Sequence, residues 1–272
     1  IICETLYTFV SPGTELRVMG GKYAKPDAFP LIPGYSAVAR VVEVGSNVKG
    51  FKEGDLVSGR NPLPVPGINA MWGAQGSAHR YQAAGMDCPI LLPADAEPMD
   101  YLIAEVSAIS LRGINAARPL PGETAIVLGQ GLIGAFAAAW LRDRGCRVIV
   151  TDIDERRLQK ARERDVAEAV NVAEEGAMER LAVCCPGGAD IVVETSGTAA
   201  GASTAYTLVR KKSQANGRDV YHGDWPRLVM QANYVDTIEI NPFGFVPGEG
   251  VTVIAPKDRS VDDRLQVVEA LR

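Results

Sequence analysis

The run Ala125-Ile126-Val127-Leu128-Gly129-Gln130-Gly131-Leu132-Ile133-Gly134, with Asp152 eighteen positions further on, constrains this chain more than any other feature. An apolar, strand-like segment runs into closely spaced glycines, and a helical pattern follows over 135–144. A strand that turns on glycine into a helix leaves the unpaired N–H groups of the first helical turn, those of Leu132, Ile133 and Gly134, facing the turn. Gly129 suits the tight turn, Gly131 lets the backbone approach a pyrophosphate, and Gly134 lets helix and sheet pack closely. Asp152 ends the next strand, where a carboxylate accepts hydrogen bonds from an adenosine ribose. It also reads as a cap for the helix that starts at Glu155. The pattern predicts a dinucleotide site, the alternative being a glycine turn with no ligand.

At 272 residues the chain is long enough for one large or two ordinary domains. A net charge of −5 argues against nucleic acid as the main partner, which favours a basic face. No apolar run reaches the roughly 18 residues needed to span a membrane, and no basic-then-apolar segment opens the chain. The five cysteines form no C-x-x-C pair and suggest no disulfide framework, so a reducing cytoplasm is expected. The chain opens at Ile1 inside a strand-like run and closes at Arg272 in a helix-like one, which reads as part of a longer protein.

Up to about residue 100, short apolar runs are broken by glycine and proline, as at Ser11-Pro12-Gly13, Ile32-Pro33-Gly34 and Glu53-Gly54-Asp55. Residues 37–44 and 56–58 read as strands, and the spacing predicts a small β-barrel or sandwich. Helical spacing begins at Met99 and ends before Pro119 and Pro121-Gly122. Strands at 124–128, 147–151, 169–171 and 191–194 then alternate with helices at 132–144, 155–165, 174–184 and 200–209. This is the rhythm of a parallel sheet covered on both faces. Further on, 228–230, 237–240 and 251–254 are β-prone.

These parts and their motifs resemble the medium-chain dehydrogenase/reductase superfamily, the alcohol dehydrogenase-like enzymes. Pro12-Gly13-Thr14-Glu15 stands where that family has Cys-Gly-Thr-Asp, and Leu31-Ile32-Pro33-Gly34-Tyr35 where it has Pro-Gly-His-Glu. Val41-Val42-Glu43-Val44-Gly45 and Asp190-Ile191-Val192-Val193-Glu194-Thr195-Ser196-Gly197 continue the match. The resemblance implies an α/β chain: a GroES-like β-barrel domain over 1–106, a Rossmann domain with a doubly wound parallel sheet over 107–256, and a return to the first domain over 257–272. It also implies roughly 30 residues before Ile1 and a few dozen after Arg272, from family domain sizes.

In zinc members a cysteine and a histidine at the first two motifs hold the catalytic metal. Here Pro12 and Tyr35 stand there, and neither serves as a zinc ligand. Glu105 matches an acidic third-ligand position of the polyol-dehydrogenase branch, but catalytic zinc takes three protein ligands. The four-cysteine lobe of structural zinc is also absent, since only Cys88 lies between Val57 and Ala94. Ser11–Glu15 and Gly34-Tyr35-Ser36 look most like a zinc-free branch that includes bacteriochlorophyllide dehydrogenase-like proteins and the N-terminal halves of bi-domain oxidoreductases.

The resemblance implies a zinc-independent oxidoreductase that moves a hydride between NAD(H) and a secondary alcohol or ketone, such as a polyol, sugar derivative or natural-product intermediate. The cofactor would contact Gly129, Gly131, Leu132, Ile133, Gly134, Asp152, Arg157, Thr195, Ser196 and Gly197, with no metal ligands. Hydrogen-bond donors must then stabilise the alkoxide, and the candidates are Tyr35, Thr14, His79 and His222, in that order. Each has a plainer reading: Tyr35 as a packed ring, Thr14 as a turn residue, His79 as a structural strand residue, Arg157 as a solvated helix charge. His222 and Trp225 lie in a loop that, by resemblance, passes the nicotinamide. Two rivals remain. One is a C=C reductase using NADPH, against which Asp152 speaks by repelling a 2′-phosphate. The other is a non-catalytic dinucleotide-binding protein. A small-molecule substrate and a homodimer, with no nucleic-acid or membrane partner, complete the expectation.

Overall fold

The structure is a computed structural model and describes residues 1–23, 26–210, 225–234, 237–238 and 250–272. It divides into two compact units, Ile1–Ala108 with Arg259–Arg272, and Ile109–Asp258.

The first unit contains β1 (Ile2–Thr8), α1 (Pro12–Met19), β2 (Leu31–Ile32), β3 (Ala37–Glu43), β4 (Leu56–Gly59), β5 (Asn69–Ala70), β6 (Ala78–Arg80) and β7 (Ile90–Leu91). Five strands form an antiparallel sheet in the order β6-β1-β3-β4-β7, and β2 pairs with β5. Its core gathers Cys3, Ala39, Val41, Val57 and Tyr81. The helix α1 departs from the expected turn at Ser11-Pro12-Gly13. Proline suits the first helical position, where its missing N–H has no helical partner. Glu15 Oε1 accepts the Ser11 N–H at 3.1 Å and closes the first turn.

Next come α2 (Ala104–Ala117), β8 (Thr124–Leu128), α3 (Leu132–Asp143), β9 (Arg147–Asp152), α4 (Glu155–Arg162), β10 (Glu168–Asn171), α5 (Ala177–Cys184), β11 (Ile191–Glu194), α6 (Ala199–Leu208), β12 (Arg227–Met230) and β13 (Thr252–Ile254). The six strands of the second unit are parallel, in the order β10-β9-β8-β11-β12-β13. Their side chains alternate between two cores. Ala125, Val127, Val148 and Val150 pack with α3 and α4, while Ile126, Leu128 and Ile149 pack with α5 and α6. Both faces are therefore covered, as apolar parallel strands require. The chain proceeds outward from β8 to β10 and then returns to β11 on the other side of β8. That reversal is where sheets of this kind bind ligands, at the carboxyl ends of the strands.

Two helices are shorter than their sequence pattern. α4 stops at Arg162, ahead of Asp165 in the left-handed region (φ +56°), and α5 begins only after Gly176 at φ +74°. Of the strand expected at 237–240, Thr237 and Ile238 lie outside any strand, and 239–240 fall outside the described residues. No helix among the described residues is long and apolar enough to cross a membrane.

A last helix, α7 (Val261–Ala270), belongs to the first unit and opens on a capping box between Ser260 and Asp263. It is held by charge. Glu105 is fully buried (0% exposed), and Arg259 Nε donates to its Oε2 at 2.8 Å. Arg264 Nε lies 2.8 Å from Oε1 as an ion contact, its N–H not aligned for a hydrogen bond. The other Arg264 nitrogens donate to the carbonyls of Met86 and Cys88, at 3.1 and 2.9 Å. Truncating one partner leaves the other charges buried without compensation. Glu105→Ala should therefore cost about 3–5 kcal/mol of stability in urea unfolding, far above an ordinary surface truncation.

Candidate active site

At the strand-order reversal, Gly129 follows β8 at φ +89° and turns the chain toward α3. A methyl at Gly134 would lie 1.8 Å from the Gly129 carbonyl oxygen, so only glycine permits this approach of helix to turn. Thr195, following β11, donates through Oγ1 to the carbonyls of Leu128 and Gly129, at 2.7 and 2.9 Å. Ser196 and Gly197 (φ +70°) continue this loop over the turn. Gly131 is the N-cap of α3, and no side chain caps the helix. A methyl on Gly131 would meet nothing within 4 Å. The first-turn amides of Leu132, Ile133 and Gly134 thus border open space, the arrangement that receives a phosphate. Gly129, Gly131, Leu132, Ile133, Gly134, Thr195, Ser196 and Gly197 are brought together, and they fit a dinucleotide.

Asp152 ends β9 and is buried (6% exposed). Gln130 N donates to its Oδ2 at 2.5 Å, and the amides of Ile153 and Asp154 donate to Oδ1 at 2.8 and 2.9 Å. A carboxylate offers about four lone-pair sites, so three amides leave about one for a ribose hydroxyl. Arg157 Nη1, half exposed, lies 3.5 Å from Oδ2. Asp152 is not the cap of α4. That role falls to Asp154, whose side chain accepts the Arg156 N–H.

In the first unit, Tyr35 is buried (7% exposed) and its ring stands edge-on to Trp72, centroids 5.8 Å apart. Its hydroxyl lies close enough to the side chains of Ser11 and Thr14, and to Arg60 and Glu15, for each to act on its pKa. Burial, with the Glu15 charge in the same direction, raises the phenol pKa more than Ser11, Thr14 and Arg60 lower it, so the proton is held. Ser11 Oγ donates to Thr14 Oγ1 at 3.3 Å, and Gln75 Nε2 fixes Glu15 at 2.7 Å. Tyr35 and Thr14 therefore meet in one hydroxyl cluster, with Ser11 as a third member. The sequence signal for Ser11 is its position three residues before Thr14.

His79 has a different setting. It is buried in β6, Nδ1 lies 3.1 Å from Thr5 Oγ1, and the ring is tilted on Tyr81. Burial lowers its pKa and favours the neutral ring, as a structural histidine has. His222 lies outside the described residues, and Trp225 packs against Gly250. Glu194 and Tyr234 carry hydrogen bonds at the Thr195 loop that sequence reasoning gave no role. Glu194 was visible in the strand-end motif. Tyr234 carried no signal.

Among the described residues, the positions aligned with the metal ligands do not fit a zinc ion. Pro12 is the first residue of α1, the Tyr35 hydroxyl lies beside Ser11 and Thr14, and the Glu105 carboxylate is taken by two guanidinium groups. Among the described residues, no group of three or more His, Cys, Asp and Glu could hold a metal ion.

The glycines separate folding from binding. Gly134→Ala forces helix and turn apart and should cost about 3 kcal/mol, the upper end of overpacking. Gly131→Ala should cost under about 1 kcal/mol, since its methyl enters open space at a cap. It should nevertheless weaken dinucleotide binding about tenfold or more, by filling the space the pyrophosphate needs. Thermal unfolding and NADH titration of the two variants check both outcomes.

Residues 9–88 match the family model of the alcohol dehydrogenase GroES-like domain, and residues 133–217 that of the zinc-binding dehydrogenase. The chain is 28% identical over 221 residues to a sorbitol dehydrogenase of Halalkalibacterium halodurans, covering 74% of this chain and 64% of that protein. It is 29% identical over 233 residues to an L-threonine 3-dehydrogenase of Salmonella paratyphi B, covering 77% and 67%. The chain thus spans about two thirds of the length of these relatives. The fold is similar to that of a protein from Sinorhizobium meliloti 1021, described as a zinc-binding dehydrogenase and bound to NADP. There the TM-score is 0.77 and the identity 19%, covering 100% of this chain and 80% of that one. Both units match models of alcohol dehydrogenase-like enzymes and the fold is shared, findings that support the medium-chain dehydrogenase/reductase superfamily.

Proposed function

We propose that the chain is the main part of a zinc-independent, NAD(H)-dependent oxidoreductase acting on a secondary alcohol or its ketone. The observation that carries the proposal is the uncapped N-terminus of α3 at Gly131, bordering open space, with the buried Asp152 carboxylate bonded to the amide of Gln130. When bound, the nicotinamide supplies or accepts a hydride. The first-turn amides of α3 hold the pyrophosphate, and Asp152 with Arg157 holds the adenosine ribose. Relatives named for sorbitol and L-threonine, both hydroxylated, support an alcohol substrate.

Lacking a metal, the chain needs a donor at the oxygen where negative charge develops. Tyr35 fills that role, and the Ser11 and Thr14 hydroxyls beside it, bonded to each other, pass the proton on. Because burial raises its pKa, Tyr35 stays protonated around neutral pH, which suits carbonyl reduction. Tyr35→Phe should lower turnover about a hundredfold while leaving NADH affinity and thermal midpoint nearly unchanged. An unchanged rate would leave Tyr35 as packing only. Metal analysis after dialysis should find no stoichiometric zinc, and chelators should leave activity intact. One zinc per chain would refute zinc independence.

NADH should bind about tenfold or more tighter than NADPH, because a 2′-phosphate beside Asp152 brings like charges together. Titration of both reduced cofactors checks this. Equal or tighter NADPH binding would reverse the assignment and implicate Arg156 and Arg157, which flank the site as exposed cations.

A further inference from the structure

Glu194, the last residue of β11, is fully buried (0% exposed). A carboxylate so placed must be paired or hydrogen-bonded, and its partners here are donors rather than cations. Oε1 accepts the Ser196 N–H at 2.7 Å, the Gly197 N–H at 3.3 Å and the Ser196 hydroxyl. Oε2 accepts the Tyr234 hydroxyl. The backbone carbonyl of Glu194 also accepts the amides of Gln231 and Ala232, at 2.9 and 3.1 Å. One residue therefore ties together the two loops that leave neighbouring strands, 195–198 after β11 and 231–234 after β12.

The first of these loops rests on the glycine turn. Thr195 bonds the Leu128 and Gly129 carbonyls, and a methyl on Gly129 would come within 3.1 Å of Ser196 N. A methyl on Gly201, in the first turn of α6, would lie 2.0 Å from Ser196 Oγ. With about four acceptor sites and four donors, the carboxylate's hydrogen-bonding capacity is taken up within these two loops. Burial, followed by the bond to Glu194, raises the Tyr234 pKa, so the phenol stays a donor throughout the working pH range.

We propose that Glu194, with Tyr234 as its donor, is a positioning residue that sets the 195–198 loop against the glycine turn and so pre-organises the dinucleotide site. This rests on the dinucleotide reading above. A loop already fixed in place loses little freedom on binding, and releasing it lowers affinity without changing the number of sites.

The test is fluorescence titration of the purified chain with NADH, alongside thermal unfolding, for wild type, Glu194→Gln, Glu194→Ala and Tyr234→Phe. Tyr234→Phe and Glu194→Gln should each weaken NADH binding about tenfold, and Glu194→Ala more, with one site per chain kept at saturation. Adding Tyr234→Phe to Glu194→Ala should weaken binding no further, because Tyr234 acts only through Glu194. If Tyr234→Phe and Glu194→Gln bind as wild type does, the positioning role is overturned. A fall in the number of sites at unchanged affinity would overturn it too, by showing a purely structural role. Failure of the wild type to bind NADH and NADPH would instead overturn the dinucleotide reading, and this inference with it.

Discussion

The approach of α3 to the turn after β8 governs the shape of the second unit's glycine turn. No side chain separates Gly134 from the Gly129 carbonyl, where even a methyl would lie 1.8 Å away. That closeness aims the uncapped helix end along the sheet and leaves open space at Gly131. It also lets one threonine hydroxyl reach two carbonyls of the neighbouring strand end. A bulkier residue at Gly134 would disturb the helix axis, the turn and the Thr195 loop together. Here packing comes first, and the anion-binding role proposed for the helix end follows from it.

Three buried carboxylates show how partner chemistry divides one residue type into three functions. Glu105 meets two guanidinium groups and holds an element in place. Asp152 meets three amides that fix its direction and leave acceptor capacity for a ligand. Glu194 meets amides and hydroxyls and fixes a loop. Ionised carboxylates are too costly to bury unpaired, so each partner set is a condition of folding as well as a definition of role.

Much of this was legible in the sequence because it is local. The glycine spacing, the strand before it and Asp152 all lie within about thirty residues, and the β-α alternation gives the sheet its parallel character. The misreadings also have physical causes. Pro12 reads equally as turn punctuation and as a helix start, and only the reach of Glu15 back to Ser11 decides between them. Asp152 reads both as a ribose acceptor and as the cap of the next helix, and the structure gives the cap to Asp154 while three amides bond Asp152, a feature of turn geometry that no motif encodes. His79 reads from sequence both as a donor candidate and as a structural strand residue, and only its packing on Tyr81 and its contact with Thr5 show its surroundings. Glu105 with Arg259, and Glu194 with Tyr234, join residues 154 and 40 positions apart, distances at which sequence periodicity is silent.

The return of α7 bears on the order in which the chain can assemble. The second unit is a single stretch, while the first is built from both sides of it. During synthesis, which proceeds at about 5–20 residues per second, the parallel sheet can close as soon as its last strand emerges. The first unit must wait. Until Arg259 and Arg264 leave the ribosome, Glu105 has neither guanidinium partner and its site stays hydrated and open. The part of the first unit that precedes the second in the chain thus gains its buried charge partners only after the second unit has been made.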